Sequence, residues 1–183
     1  MKSFRLVLIL VGCLLALSLA SATTVIPMSV ESLTAASSHV LEGTAVQVWS
    51  QWNPEHTIIH TYTKFRVERL LKGPAPDVVI VKQLGGRVGT IVQRVAGVRH
   101  WRPGEEAVLF LQPAEERDGT LVVTGLIQGN YRVMLAADGT RVVSNGVPDV
   151  SVYSAATKET TAFQGSRMRV EDLESRVQKA VQR

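Results

Sequence analysis

Cysteine is all but missing. Cys13 is the single one in 183 residues, and it sits inside the apolar N-terminal run. One thiol makes no internal disulfide, so a cystine framework and a two-cysteine redox pair are both excluded. Aromatic residues are scarce, at 5% of the chain, so each large ring needs an explanation. The longest hydrophobic run spans about 15 residues, short of the roughly 20 of a membrane-crossing helix. The chain also lacks G-x-S-x-G, a Walker A loop, H-E-x-x-H and C-x-x-C. That removes the common signatures of serine hydrolases, phosphate cradles, zinc proteases and thiol oxidoreductases.

The N-terminus reads as a targeting segment. Lys2 and Arg5 precede the apolar run LVLILVGCLLALSLA, residues 6–20, and Ala20-Ser21-Ala22 is a small-x-small site. Those three parts make a secretory signal peptide. Cleavage after Ala22 leaves 183 − 22 = 161 residues, starting at Thr23 and free of cysteine. The expected route is Sec export, to a periplasm or the extracellular space. Leu10-Val11-Gly12-Cys13 resembles a lipobox, so a lipoprotein anchored at Cys13 is the alternative. The apolar run continues well past Cys13, which favours ordinary cleavage. Without Lys2 and Arg5, 20 − 2 = 18 basic residues face 16 acidic ones, a formal charge of +2. So even a balance points to neither nucleic acid nor a membrane surface as partner. A chain of this size can bury one core. The expected organisation is a signal at 1–22, a β-barrel domain over 23–165, and a C-terminal helix over 166–183 packed on the barrel.

What the chain has in quantity is alternation. Within residues 58–73, Ile59, Thr61, Thr63, Phe65 and Val67 share one face, while His60, Tyr62, Lys64, Arg66 and Glu68 share the other. That period of two is a half-buried strand. It would span about 50 Å if flat, so it must bend and serve two neighbours, as barrel strands do. Its first face is expected to line the barrel, and Leu70-Leu71-Lys72-Gly73 to close it. Residues 39–50 form the strand before it, with Val46 and Val48 on the face of Val40 and a bend at Gly43. Asn53-Pro54-Glu55-His56 turns the two into a hairpin. Residues 77–84 form a third strand. Gly85-Gly86-Arg87-Val88-Gly89 is read as a turn, and 88–95 as a fourth strand. Residues 106–112 follow, with the unbroken apolar run Ala107 to Leu111 buried on both faces. Shorter strands are expected over 120–127, 130–136 and 140–144. Residues 145–165 read as a loop with one short strand near 150–153.

Two helices flank these strands. Ser29 can cap a short helix whose stripe is Met28, Leu33 and Ala36. In the tail, Val170, Leu173, Val177 and Ala180/Val181 recur at helical spacing. Acidic residues open that helix and basic ones end it, which suits its dipole.

Few residues in the sequence point to chemistry. His56 and His60 lie four apart, about 13 Å on an extended chain, too far for one ion. His39 and His100 would have to converge with them in space before a metal site existed. Glu105-Glu106 and Glu115-Glu116 are neighbours on extended chain, so their side chains point apart and read as solvated turn edges. No catalytic, cofactor-binding or metal-ligating residue is expected. Trp49, Trp52 and Trp101 near strand ends have two readings: plugs for the ends of a barrel core, or a stacking platform for a sugar or peptide.

A pattern runs through these segments: Gly43, Trp49, Ile59-x-Thr61, Phe65-Arg66-Val67-Glu68-x-Leu70-Leu71-Lys72-Gly73, Gly85-Gly86, then Pro103-Gly104-Glu105-Glu106-x-Val108-Leu109-Phe110-Leu111. It resembles a group of uncharacterised secreted bacterial proteins. The strand ending in Leu-Lys-Gly is also similar to the netrin/TIMP-like module. The resemblance implies a mainly β fold: a small, antiparallel OB-like barrel with a short N-terminal and a C-terminal amphipathic helix. TIMP-like inhibitors chelate a protease zinc through an N-terminal cysteine, which the mature chain lacks, so that mechanism does not carry over. The expected function is an exported, non-catalytic binding module for a protein or glycan partner. A cysteine-free protease inhibitor or accessory subunit is the first alternative, and a hydrolase assembled from distant residues the second.

Overall fold

The computed structural model describes residues 23–74, 76–116, 118–146, 150–154 and 158–182. The expected signal segment at 1–22, with Cys13, lies outside the described residues. In chain order the elements are β1 (Thr23–Val25), α1 (Val30–Ala36), β2 (His39–Trp52), β3 (Ile59–Lys72) and β4 (Val78–Leu84). Next come β5 (Gly86–Val88), β6 (Ile91–Gln93), β7 (Glu106–Pro113), β8 (Leu121–Val123), β9 (Asn130–Leu135) and β10 (Arg141–Ser144). The chain finishes with β11 (Val150–Ser154), β12 (Glu159–Ala162), β13 (Arg167–Arg169) and α2 (Val170–Val181).

β2 and β3 form the long hairpin, antiparallel from Trp52↔Ile59 to Val40↔Lys72. β3 serves two neighbours, pairing β2 on one side and β4 on the other. β2 also pairs β7, and β8 joins β7 to β4, so five strands close into an OB-like barrel. Closure therefore falls to β8 and includes a parallel contact, Val81↔Leu121. The Leu70 to Gly73 stretch does different work: Leu70 packs on the barrel core, and Leu71 packs on the helix side. Lys72 Nζ donates to the carbonyls of Thr34 and Ser37 at 2.6 and 2.8 Å, a cation on the open C-terminal end of α1.

The alternation of β7 explains the layering. Ala107, Leu109 and Leu111 point into the barrel with Leu41, Ala45, Phe65, Val79, Val81 and Trp101. Val108 and Phe110 point outward, where α1 and α2 cover them with Val30, Leu33, Val170, Leu173 and Val177. All five residues of the run are fully buried, since each face of the strand meets a different core. Ser29 caps α1, its Oγ accepting from Ser32 N at 3.1 Å. The buried stripe of α1 is Val30, Leu33 and Thr34, whereas Ala36 is exposed.

Three other expectations are corrected. Val46 and Val48 do not continue the face of Val40. Bulges between Val40/Leu41, Glu42/Gly43 and Ala45/Gln47 shift the phase of β2, and Val46 ends up exposed. At the second bulge a Cβ on Gly43 would lie 2.6 Å from the Arg66 carbonyl oxygen. The fourth strand is a separate two-stranded arm, β5 with β6, and Gly86 to Val88 belong to a strand rather than a turn. The lead-in and the 145–165 region supply a small sheet, β1-β11-β12. β9, β10 and β13 extend the main sheet beyond β7. Among the described residues no helix is long and apolar enough to cross a membrane.

Candidate functional site

The open end of the barrel is roofed by residues 85–105, the connection between its third and fourth strands. Two glycines start that connection. Gly85 and Gly86 have φ of 81° and 141°, values that favour glycine. A Cβ on Gly86 would also fall 2.3 Å from Thr61 Oγ1 and 2.5 Å from Ser50 Oγ. The chain therefore presses onto the hairpin, and hydrogen bonds hold it. Gly85 N donates to Ile59 O at 2.7 Å, Thr61 Oγ1 donates to Gly85 O at 2.7 Å, and Ile59 N donates to Gln93 Oε1 at 2.7 Å.

The return path is anchored as firmly. Trp101 is 2% exposed and stands edge-on to Phe65, with ring centroids 4.9 Å apart. Its Nε1 donates to Asn130 Oδ1 at 3.1 Å. Arg132 donates to the His100 carbonyl at 2.5 Å and to Glu105 Oε1 at 2.8 Å. His100 Nε2 bonds the Leu84 carbonyl at 2.9 Å, which assigns the ring proton to that nitrogen. Burial lowers the His100 pKa, so the ring is neutral at pH 7 and the charge of the roof comes from arginine.

Beneath the roof lies a cleft of about 1170 Å³, with Ser50 and Thr61 on its floor and Arg87, Arg94, Arg99, Arg102 and His100 around it. Among the described residues no acidic side chain lines it. Arg87, Arg94, Arg99 and Arg102 are exposed, and among the described residues none forms an ion pair. Arg132 registers their field: burial first, then the charge of Arg99, lowers its pKa. Guanidinium groups present forked N–H donors that match carboxylate, sulfate and phosphate oxygens. The arrangement can hold an anion. On its floor the Ser50 and Thr61 hydroxyls bond each other at 2.8 Å, and the His100 ring bonds a backbone carbonyl.

The residues singled out from sequence scatter. Trp101 belongs to the barrel core and offers no ring face to a ligand. Trp49 stacks on Tyr62 at 5.4 Å, and Trp52 stacks on His56 at 6.2 Å. Three residues apart in a regular stretch of strand, Trp49 and Trp52 point to opposite faces of the hairpin, so the three tryptophans make no common platform. His39 bonds Ser38 Oγ at 2.8 Å. His60 lines a smaller pocket of about 320 Å³ with Lys82 and Glu116, where Glu116 neutralises Lys82 at 2.5 Å. Among the described residues no three His, Cys, Asp or Glu side chains are grouped to hold a metal. Glu105 and Glu106 are not simply solvated: they pair with Arg132 and Arg141, each at 2.8 Å.

The arginines of the mouth escaped the sequence reading because they never form a run. Their signal is the absence of acid between them. From Val78 to Gly104 the chain carries Lys82, Arg87, Arg94, Arg99 and Arg102 and no Asp or Glu. An even overall charge hid that local excess. No protein-family model matches the chain, and no curated protein does either.

Proposed function

We infer that the protein is an exported, non-catalytic binding module of netrin/TIMP-like barrel type, and that the mouth cleft engages an anionic protein or glycan partner. One observation carries this reading: four arginines without carboxylate partners among the described residues surround a roomy cleft whose backbone is tied down on both sides. Like charges brought together repel, so such a grouping is stabilised by an anion from outside. A fixed roof also lowers the ordering cost of binding. The inhibitor alternative finds no such support. An inserting N-terminus would have to project, whereas β1 pairs with β11, and Gln128 holds Ile26 and Met28 by side-chain hydrogen bonds of 2.9 and 2.7 Å.

The test is retention of residues 23–183 on immobilised polyglutamate and on a sulfated glycan, read across a salt gradient. Retention on at least one, falling as salt rises, is expected. The double variant Arg94→Ser/Arg99→Ser is expected to elute at distinctly lower salt. Equal retention of wild type and variant on both surfaces refutes the reading. A pull-down from the extracytoplasmic fraction, comparing the same two proteins, then identifies the partner.

A further inference from the structure

Next to the arginine cleft is a second hollow of about 450 Å³, lined by Arg99, Glu105, Glu106, Arg132, Arg141 and the end of β9. Arg99 lines both hollows, so they adjoin at that side chain. Within the second one, Glu105 pairs with Arg132 and Glu106 with Arg141, which leaves Arg99 as the surplus charge. The rest of the lining is apolar and unusually open: Met134 is 41% exposed and Leu135 74% exposed.

The backbone there is open too. β9 pairs with β7 only from Asn130 to Arg132, while its pairing with β10 continues to Leu135. Beyond Arg132, β9 therefore has a strand on one side only. Such an edge offers main-chain N–H and C=O groups to an added strand. A glycan has no use for a strand edge beside an apolar ledge, but an extended peptide matches both.

Resting on the proposed anion-binding role of the mouth, we propose that the natural ligand is an extended acidic peptide. It adds alongside the free end of β9, seats an apolar side chain against Leu135, and reaches Arg99, Arg94 and Arg102 with its carboxylates. Alternate side chains of a strand point to opposite faces. An acidic-apolar alternation therefore presents carboxylates and an anchor at once, and about six residues extend roughly 20 Å.

The probe is a fluorescently labelled hexapeptide alternating Asp or Glu with Leu or Phe, measured by anisotropy on residues 23–183. Three controls accompany it: the same composition in two blocks, the alternating peptide N-methylated at every second residue, and a sulfated oligosaccharide of similar charge. Wild type is expected to bind the alternating peptide best. Arg99→Ser and Leu135→Ser are each expected to weaken it about tenfold or more, with unchanged thermal midpoints showing that both variants fold. N-methylation is expected to abolish binding, because it removes the donors that edge pairing needs. If the blocked or N-methylated peptide binds as well as the alternating one, the inference is wrong. If the oligosaccharide binds more tightly, depends on Arg99 and ignores Leu135→Ser, the ligand is a glycan and only this inference falls. If no anion binding depends on Arg99, the anion-binding role falls with it.

Discussion

The helix-covered flank and the barrel mouth treat arginine in opposite ways. On the flank, Arg69 meets Glu174 at 2.6 Å, Arg176 meets Glu31 at 2.8 Å, and Arg141 bonds Glu42 and Glu106. Each of these cations joins elements distant in sequence. At the mouth, Arg87, Arg94, Arg99 and Arg102 hang on a roof fixed by glycine, tryptophan and backbone bonds. Removing those guanidiniums leaves the supports intact. The difference separates charges that are paired within the molecule from charges that the molecule displays.

The largest expected effect falls on the packing beneath both regions. Phe65→Ala should cost about 3–5 kcal/mol in denaturant unfolding, since Phe65 is fully buried against Trp101. An unchanged unfolding midpoint would contradict the packing described for the barrel. Gly86→Ala should be milder, about 1–3 kcal/mol, and local. Amide exchange is expected to quicken in residues 85–93 before the rest of the barrel responds. Uniform exchange would show that the roof is not separately anchored.

On the flank, the Arg176 hydrogen bond pulls the Glu31 pKa from 4.5 to about 2. A lowered carboxyl pKa contributes stability above the unfolded value, and that stability is lost as pH falls from 4.5 towards 2. Both side chains are more than a third exposed, so solvent screening limits the pair to under about 1 kcal/mol. Arg176→Ala should flatten that part of the acid titration and leave stability below about pH 2 almost unchanged. Glu174 has the opposite sign. Burial raises its pKa, so its contribution is present at low pH and lost as pH rises through the folded value. Glu174→Gln should therefore preserve or raise the thermal midpoint at pH 7. A marked drop would show that the Arg69 pair outweighs the burial of the charge. The smallest expected effect is at the mouth. Arg94→Ser/Arg99→Ser should shift unfolding free energy by no more than about 0.5 kcal/mol, while losing anion binding. A large destabilisation would erase the distinction between the two regions.

Much of the architecture was legible because it rests on period. The spacing in residues 59–67 placed Ile59, Thr61, Thr63 and Phe65 inside, and all four are buried. The run from Ala107 to Leu111 announced a strand between two cores, and the Val170, Leu173, Val177 stripe announced α2. Period fails wherever an extra residue enters. The bulges of β2 reversed the face of Val46, and no local pattern marks a bulge at Ala45/Gln47. The β5–β6 arm was hidden because its glycines serve both a turn and a close approach to Ser50 and Thr61.

The site was legible only in part. Strand identity, helix spacing and an acid-free stretch carrying five cations are properties of the chain read along itself, and the sequence alone determined them. Which arginines find a carboxylate depends on contacts across gaps such as the sequence separation of 105 from Arg69 to Glu174. The same holds for the withdrawal of Trp101 into the core and for the place where β7 stops covering β9. Those outcomes follow from barrel closure and bulge register, long-range pairings that no local window contains, and only the tertiary structure decided them.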